Sequence, residues 1–337
     1  MKSFLDKYDT VIFDMDGVIT SEQNYWNCAA LVVSEFFSSK KYNGQTDIDA
    51  AEISRDVKRI RREIFGENDE FISLVKNRGV NSNWDLGYVR ILIAEIVGSI
   101  SIEKAVEYAE GLSDNILYLY EALAKTAQPS LGRPLDEVER NGSLWVELRD
   151  CFQEWFLGDK LFKEQYGRDP VQTGKPGLVN SEQPIIPMNA LKRLLSELSQ
   201  SKRVCIGTGR PGAEIISPLT SWNVLDYFAE NGRCTYDNVA AVEKKYGMTL
   251  SKPHPYMFLK ALYGTDYDDK KIINGDYDRL KIANTLIVGD AGADILAAKT
   301  MGADFCAVLT GVNGKAARTY FEELESEYIL DSAADLL

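Results

Sequence analysis

The stretch VIFDMDGVIT, residues 11–20, decides the fold of this chain. Its first three residues are apolar and predict a short buried β-strand. Two aspartates follow directly. Because residues i and i+2 of an extended chain point the same way, Asp14 and Asp16 are expected to face one cleft. Gly17 lets the backbone turn closely past a ligand there. Taken alone, the same residues also fit an ordinary aspartate-rich surface turn.

Four more apolar runs predict strands. They occupy residues 204–206, 286–288, 306–309 and 328–330. Runs that are continuous rather than alternating suit strands that are covered on both faces. Helical patterns separate most of these runs, and strands that alternate with helices imply a parallel sheet with right-handed crossovers. The sequence therefore predicts an α/β fold with a Rossmann-like parallel sheet core flanked by helices.

A long segment between the first two predicted strands has a different character. It contains helical patterns at residues 51–64, 85–97, 102–124 and 144–156, and no convincing series of strands. We therefore expect a large all-helical domain over residues 21–184, inserted after the first strand. Residues 1–20 and 185–337 would then form the sheet domain.

The second predicted strand ends in Gly207-Thr208-Gly209-Arg210-Pro211. Proline is favoured as the first residue of a helix, so Thr208 would offer its hydroxyl beside the free N–H groups of a helix N-terminus. Such a terminus is a natural phosphate seat. Gly209 and Arg210 are candidate phosphate or substrate contacts, and Arg210 fits a structural salt bridge equally well. An ordinary strand-to-helix turn with a hydroxyl cap is the alternative.

The third predicted strand ends at Asp290, with Asp294 in the first turn of the next helix. Magnesium prefers one or two carboxylates together with water and phosphate oxygens, so this pair is a candidate cation site. Asp294 would also complement the helix dipole without any ligand. Lys252 lies between the second and third motifs, next to a proline, and a lysine suits phosphate as a point charge. A solvated loop lysine is the alternative, and His254, the single histidine, is interpreted as a loop residue.

Composition limits the classes of partner. The formal net charge of −13 opposes binding to nucleic acid or to anionic membranes, so a small molecule is the expected partner. The five cysteines are scattered and show no CxxC spacing, which argues against a disulfide framework and against a zinc site. We find no secretory signal and no apolar run long enough to span a bilayer. The expected location is the cytoplasm, and the sequence does not indicate an oligomeric state.

The combination of motifs is more specific than any one of them. The chain resembles the haloacid dehalogenase superfamily, whose four motifs match residues 14–20, Thr208, Lys252, and Asp290 with Asp294. A helical insertion between the first two motifs is similar to the subgroup that carries a helical cap, which includes phosphoglycolate phosphatases and β-phosphoglucomutases. The resemblance implies a magnesium-dependent phosphatase that acts on a small phosphorylated metabolite.

The resemblance also implies a role for each motif residue. Asp14 would attack phosphorus and form an aspartyl-phosphate. Asp16 would protonate the leaving oxygen and then deprotonate the attacking water. Thr208 and Lys252 would hold the phosphoryl oxygens. The implied Mg²⁺ ligands are Asp14, the backbone carbonyl of Asp16, Asp290 and, in support, Asp294. The implied phosphate- and substrate-binding set is Gly17, Thr208, Gly209, Arg210 and Lys252.

Several alternatives remain open. Dehalogenases of the superfamily lack the second aspartate, so Asp16 favours a phosphate substrate. The sugar phosphomutases of the superfamily resemble this chain in the run DGVIT, but they carry a histidine shortly afterwards, near the place of Trp26 here. A non-catalytic binding module is a third possibility, which the complete set of motifs opposes.

The helical domain is expected to select the substrate. Its most suggestive piece is the polar cluster at residues 81–85, which could line a pocket. Simple helix capping, with Trp84 packed inside the domain, is the stronger alternative.

Overall fold

The structure is a computed structural model that describes residues 2–80, 82–113 and 115–337. The described residues divide into two compact units. The sheet unit comprises the chain up to Glu22 together with Glu182–Leu337, and the helical unit comprises Gln23–Ser181.

The sheet unit contains one six-stranded parallel sheet, with strands in the order β3-β2-β1-β4-β5-β6. The strands are β1 Thr10–Phe13, β2 Arg203–Gly207, β3 Arg233–Cys234, β4 Thr285–Gly289, β5 Asp304–Val308 and β6 Tyr328–Leu330. Strand β1 lies at the centre, and Phe13 is in register with Ile206 on one side and Val288 on the other. The carboxyl ends of β1, β2 and β4 therefore meet at one edge of the sheet.

Apolar side chains cover both faces of this sheet, which is why its strands read as continuous apolar runs. Phe13 packs in one cluster with Leu194 of a flanking helix, whereas the neighbouring Ile12 packs in another cluster with Phe258 and Ile295. The helices are α10 Met188–Ser199, α11 Gly212–Ser221, α12 Tyr236–Tyr246, α13 Tyr256–Tyr263, α14 Asp269–Ile273, α15 Arg279–Ala283, α16 Gly292–Met301 and α17 Arg318–Glu323. Short 3₁₀ helices occupy Ser3–Lys7, Leu225–Tyr227, Glu230–Gly232, Gly314–Ala317 and Ala333–Leu336.

The helical unit has its own buried apolar core and, among its described residues, no strand. Its helices are α1 Gln23–Ser38, α2 Ala50–Arg55, α3 Val57–Phe65, α4 Glu70–Lys76, α5 Asn83–Val97, α6 Ile102–Glu110, α7 Ile116–Leu131, α8 Leu135–Val138 and α9 Ser143–Tyr166, followed by a 3₁₀ helix at Leu178–Ser181. In the described ranges of either unit, none of the helices combines the length and the apolar character that crossing a membrane requires.

The α/β fold class predicted from the sequence is confirmed, and all five apolar runs are strands. The sequence analysis missed β3, because two residues between turns leave no apolar run to detect. The predicted helix 51–64 is two helices that meet at Asp56, and the predicted helix 102–124 is broken between Glu110 and Ile116. Both breaks fall where the apolar periodicity continues, so periodicity alone could not find them.

Candidate active site

Three carboxylates converge at the carboxyl edge of the sheet. Asp14 directly follows β1, and its backbone N–H donates to the carbonyl of Val288 at 2.9 Å. Asp290 directly follows β4, and Asp294 lies in the first turn of α16. One oxygen from each of the three aspartates lies within 4.8 Å of the others. The parallel register of β1 and β4 is what brings these acids together.

Burial, together with the repulsion between neighbouring acids, changes the protonation of this acidic cluster. Burial raises the pKa of Asp14 to about 7; Lys252 acts to lower this pKa and Asp294 to raise it. Burial, followed by repulsion from Asp294 and Asp14, raises the pKa of Asp290 well above its ordinary range. Three acids therefore share one edge of the sheet with a surplus of negative charge that a cation would neutralise.

Lys252 supplies the fixed positive charge of the cluster. Its Nζ atom lies 2.8 Å from Asp14 Oδ1 and 2.8 Å from Asp294 Oδ1, and 4.8 Å from the centre of the Phe258 ring. Burial acts to lower the pKa of Lys252, but attraction to Asp14 and Asp294 outweighs it, and the pKa is raised. The ammonium group therefore stays charged beside the candidate nucleophile.

The acidic cluster fits a hard divalent cation. Carboxylate oxygens are the ligands that Mg²⁺ prefers, and one lysine cannot balance three carboxylates. Asp294 Oδ2 accepts the N–H of Ala291 at 3.2 Å, which fixes this side chain at the start of α16. Asp294 Oδ1 is buried and accepts no well-aligned hydrogen bond, although Lys252 lies at ion-pair distance. The donor set and its surplus charge would suit a hard divalent cation such as Mg²⁺.

The Asp16 carboxylate has hydrogen-bond partners different from those of the acidic cluster. Its Oδ1 accepts hydrogen bonds from Arg210 Nε at 2.8 Å and Nη2 at 2.5 Å, and from Thr20 Oγ1 at 3.3 Å. The side chain is 28% exposed. Its carboxylate is therefore directed to an arginine, and only its backbone carbonyl remains as the magnesium ligand that the resemblance implies.

Arg210 is buried and lies between two acids. Its side chain is 1% exposed, and Nη1 lies 2.7 Å from Glu182 Oε1 in an ion pair that is not aligned as a hydrogen bond. Burial raises the pKa of Glu182 to about 7, although Arg210 acts to lower it. Of the two roles open to Arg210 in the sequence, these contacts correspond to the structural salt bridge.

Thr208 and Gly209 follow β2 at the same edge of the sheet. The N–H of Thr208 donates to the carbonyl of Cys234 at 3.0 Å, and its Oγ1 accepts the N–H of Arg210 at 3.1 Å. A Cβ atom on Gly209 would meet no atom within 4 Å. Helix α11 begins one residue later than predicted, at Gly212, whose N–H already donates to Asp237 Oδ2 at 2.7 Å. The start of α11 is thus partly occupied by an acid of the chain itself.

Gly17 is required by its surroundings. Its φ is +72°, and a Cβ atom there would lie 2.1 Å from Asp290 Oδ2. Thr310 Oγ1 donates to the Gly17 carbonyl, and a Cβ atom on Gly311 would lie 2.0 Å from the same oxygen of Asp290. The sequence analysis missed Thr310 and Gly311, although they carry the signature of the other motifs: polar residues directly after an apolar strand.

Two other sequence hypotheses concern residues with internal partners. Asp85 is buried in the helical unit, where it accepts hydrogen bonds from Tyr120 Oη and Trp145 Nε1, each at 2.7 Å. Its role is structural, and Asn81, from the same polar cluster, lies outside the described residues. His254 Nδ1 accepts the N–H of Tyr256 at 3.1 Å, as expected of a loop residue.

Comparison with known proteins gives a family match over the C-terminal part of the chain and structural matches to its fold. Residues 249–336 match a family described as HAD-hydrolase-like. No curated protein matches the chain. An X-ray structure of a structural-genomics target is 27% identical, covers 97% of each chain and has a TM-score of 0.84.

Two other solved structures are more distant. Phosphatase Tt82 from Thermococcus thioreducens is 17% identical, and the match covers 94% of this chain and 99% of the phosphatase chain, with a TM-score of 0.51. A putative β-phosphoglucomutase from Thermotoga maritima is 14% identical, covers 98% and 96%, and has a TM-score of 0.46. At 17% identity the likeness to the Thermococcus phosphatase concerns the fold alone.

The matched segment contains Lys252, Asp290 and Asp294, which are three of the residues on which the resemblance rests. The described part of the chain has the parallel α/β architecture expected for that family. Over residues 249–336 the chain is thus similar to the HAD-hydrolase-like family.

Proposed function

We propose that this protein is a magnesium-dependent phosphatase that hydrolyses a small phosphorylated metabolite through an aspartyl-phosphate on Asp14. One observation carries the proposal: the Asp14 carboxylate lies 2.8 Å from the Lys252 ammonium, within a cluster of three acids at the carboxyl edge of the sheet. Open α/β sheets bind their ligands at this edge.

The contacts of Asp14 and Lys252 suit the first step. Asp14 attacks the substrate phosphorus as a carboxylate, and Lys252 favours that charged form. The P–O bond to the leaving group breaks as the bond to Asp14 forms, and Lys252 neutralises charge on the phosphoryl oxygens. When bound, Mg²⁺ would supply further positive charge to the same oxygens. Its ligands would be Asp14, Asp290, the backbone carbonyl of Asp16 and, in support, Asp294.

We assign the proton transfers to Asp16. In the first step it gives a proton to the leaving oxygen, and in the second it takes one from the water that cleaves the aspartyl-phosphate. Its remaining exposure leaves one side of the carboxylate open to reactants. Thr208, at the end of β2, would hold a phosphoryl oxygen through its hydroxyl.

Hydrolysis is favoured over phosphoryl transfer within a sugar. The position near which the mutases carry a histidine is Trp26, whose ring lies within 4.9 Å of the Arg61 guanidinium and 5.6 Å of the Lys76 ammonium in the helical unit. An indole has no basic nitrogen to accept a proton. We retain the helical unit as the part that selects the substrate.

The test is phosphate release by purified protein with Mg²⁺, from para-nitrophenyl phosphate, sugar phosphates, phospho-acids and nucleotides. Release that EDTA abolishes, and that Asp14→Asn lowers by at least about 10³-fold, would support the proposal. The matched control is Asp6→Asn, the same substitution at an exposed position, which should leave the rate unchanged. Full activity in Asp14→Asn would refute the nucleophile, and an acid-stable phosphate adduct on another residue would replace it.

A further inference from the structure

The residue that needs accurate positioning in this mechanism is Asp16. A general acid–base group works only within hydrogen-bond reach of the proton that it transfers. Asp16 lies beyond the end of β1, next to Gly17 with its positive φ, so the strand itself does not fix its side chain. Its orientation must come from side-chain contacts, and Arg210 supplies two of the three hydrogen bonds described above.

The Arg210 side chain is buried and has its partners within the sheet unit. Its backbone N–H donates to Thr208 Oγ1, its side chain is 1% exposed, and its guanidinium lies between Asp16 and Glu182. Two nitrogens of the planar guanidinium donate to the same oxygen, Asp16 Oδ1, and these charge-assisted hydrogen bonds fix the place of that oxygen. A side chain with so little exposure is poorly placed to reach a substrate.

Glu182 pairs with Arg210 Nη1, whereas Asp16 accepts hydrogen bonds from Nε and Nη2. Glu182 is the first residue of the segment with which the chain returns to the sheet unit. Backbone hydrogen bonds join this segment to the turn that follows Asp16. The N–H of Ile185 donates to the carbonyl of Ile19 at 2.9 Å, and Thr20 forms an isolated antiparallel bridge with Pro184. Both carboxylates that contact Arg210 are therefore carried by segments that are joined to each other through backbone hydrogen bonds.

We infer that Arg210 is a positioning residue for Asp16, with Glu182 as its anchor, and not a ligand of the substrate phosphate. The inference rests on the proposed function, since it assigns to Asp16 the proton transfers described there. It replaces the phosphate-binding role that the sequence suggested for Arg210. A misplacement of a catalytic group by about 1 Å can cost about 10²-fold in rate.

The kinetic test is a double-mutant cycle between Arg210 and Asp16. Arg210→Gln should lower kcat by about 10- to 100-fold with little change in KM. Arg210→Lys, which keeps the charge but loses the planar fork, should recover part of the rate. In the Asp16→Asn background the further cost of Arg210→Gln should fall below about twofold, because the group being positioned is gone. An undiminished loss in that background, or a raised KM with unchanged kcat, would show direct substrate contact and overturn the inference.

A structural readout makes the test independent of activity. In crystals of Arg210→Gln and Glu182→Gln, the Asp16 carboxylate should leave its wild-type position or become disordered. Arg193→Gln, which removes an exposed arginine with a partner one helical turn away, should leave Asp16 in place. If Asp16 keeps its position without Arg210, the inference is wrong whatever the rate. If Asp16 moves but wild-type protein hydrolyses no phosphate ester, the positioning role stands and the proposed function fails.

Discussion

Each unit of the molecule holds a lysine between carboxylates, and the two clusters differ in what surrounds them. In the sheet unit, Lys252 lies 2.8 Å from Asp14 and from Asp294. In the helical unit, Lys175 Nζ lies 2.9 Å from Glu35 Oε2 and 2.6 Å from Glu154 Oε2. By distance alone the two ion-pair clusters are equivalent.

The ion-pair cluster of Lys175, Glu35 and Glu154 is buried within the helical unit. The three side chains are at most 1% exposed, Trp155 Nε1 donates to Glu35 Oε2 at 2.7 Å, and the N–H of Val171 donates to Glu154 Oε1 at 2.7 Å. Burial raises the pKa of Glu35, although Lys175 acts to lower it. A shifted pKa is therefore found here in a cluster whose partners are all structural.

The acidic cluster of the sheet unit is open by comparison. It contains a third acid, Asp290, which is partly exposed, and it lies at the ends of parallel strands. Perturbed pKa values occur both in functional sites and in structural ion pairs, so they do not separate the two. A surplus of negative charge at an accessible edge of the sheet does distinguish a functional site from a structural ion pair. Matched substitutions in the two clusters can test this difference.

Lys175→Met should cause the largest loss of stability. It leaves Glu35 and Glu154 buried without their cation, and breaking a buried pair on one side costs about 3–5 kcal/mol. Urea denaturation should show this loss, whereas phosphate release by the folded variant should stay near wild type. Lys125→Met, at an exposed pair with Glu121, is the control and should not shift the midpoint. A variant of Lys175 that loses activity while remaining folded would assign that cluster to function.

Lys252→Met should give the opposite result. Removing a cation that stabilises developing charge costs about 10²–10³-fold in kcat. Its effect on stability should be smaller than that of Lys175→Met, because Asp290 keeps this cluster in contact with solvent. Steady-state kinetics and urea denaturation of both lysine variants, done side by side, measure the contrast. Equal profiles for the two would remove the distinction between the clusters.

The acidic cluster of the sheet unit could be predicted from the sequence because its residues directly follow apolar strands. Asp14 and Asp290 need only the rule that parallel strands end at one edge. The orientation of Asp16 could not be predicted in the same way. The rule that residues i and i+2 share a face holds within a strand, but β1 ends at Phe13 and the chain then turns.

The long-range partners left no signal in the sequence. Glu182, Arg210 and Lys175 are buried charged residues in segments whose sequence is typical of loops. The partner of Lys175, Glu35, is 140 positions away. No local pattern predicts which distant charges will meet in three dimensions. The strand β3 was missed for a related reason, since its two residues are specified by pairing with β2 and not by their own apolar character.

The pH dependence of stability offers a third test, through Glu182. Because burial raises its pKa to about 7 from an ordinary 4.5, the folded protein keeps a proton that the unfolded chain has lost between these values. The stability from this group is fully present below about pH 4.5 and is lost as pH rises through 7. Between pH 5 and 8, wild type should lose on the order of 2–3 kcal/mol more than Glu182→Gln. Parallel stability curves would contradict the buried position of Glu182.

Asp290→Asn tests the surplus charge directly. In metal-free protein the substitution removes repulsion from Asp14 and Asp294, so it should raise stability by about 1 kcal/mol, as often occurs when a functional residue is replaced. The same variant should no longer be stabilised by added Mg²⁺, whereas wild type should be. Thermal denaturation with and without Mg²⁺ measures both effects. A variant that is less stable than wild type without metal and still responds to magnesium would place the cation elsewhere.

A comparison of two glycine positions separates local strain from damage to the site. Gly17→Ala and Gly302→Ala both put a side chain at a positive φ, +72° and +89°, and each should lose about 1–2 kcal/mol of stability. Only at Gly17 would the added Cβ atom meet another group, Asp290 Oδ2 at 2.1 Å, whereas nothing lies within 4 Å at Gly302. Gly17→Ala should therefore also lose about tenfold in kcat as Asp290 is displaced. Equal kinetics in the two variants would mean that the turn after Asp16 does not fix Asp290, and the acidic cluster would then be held by β4 and α16 alone.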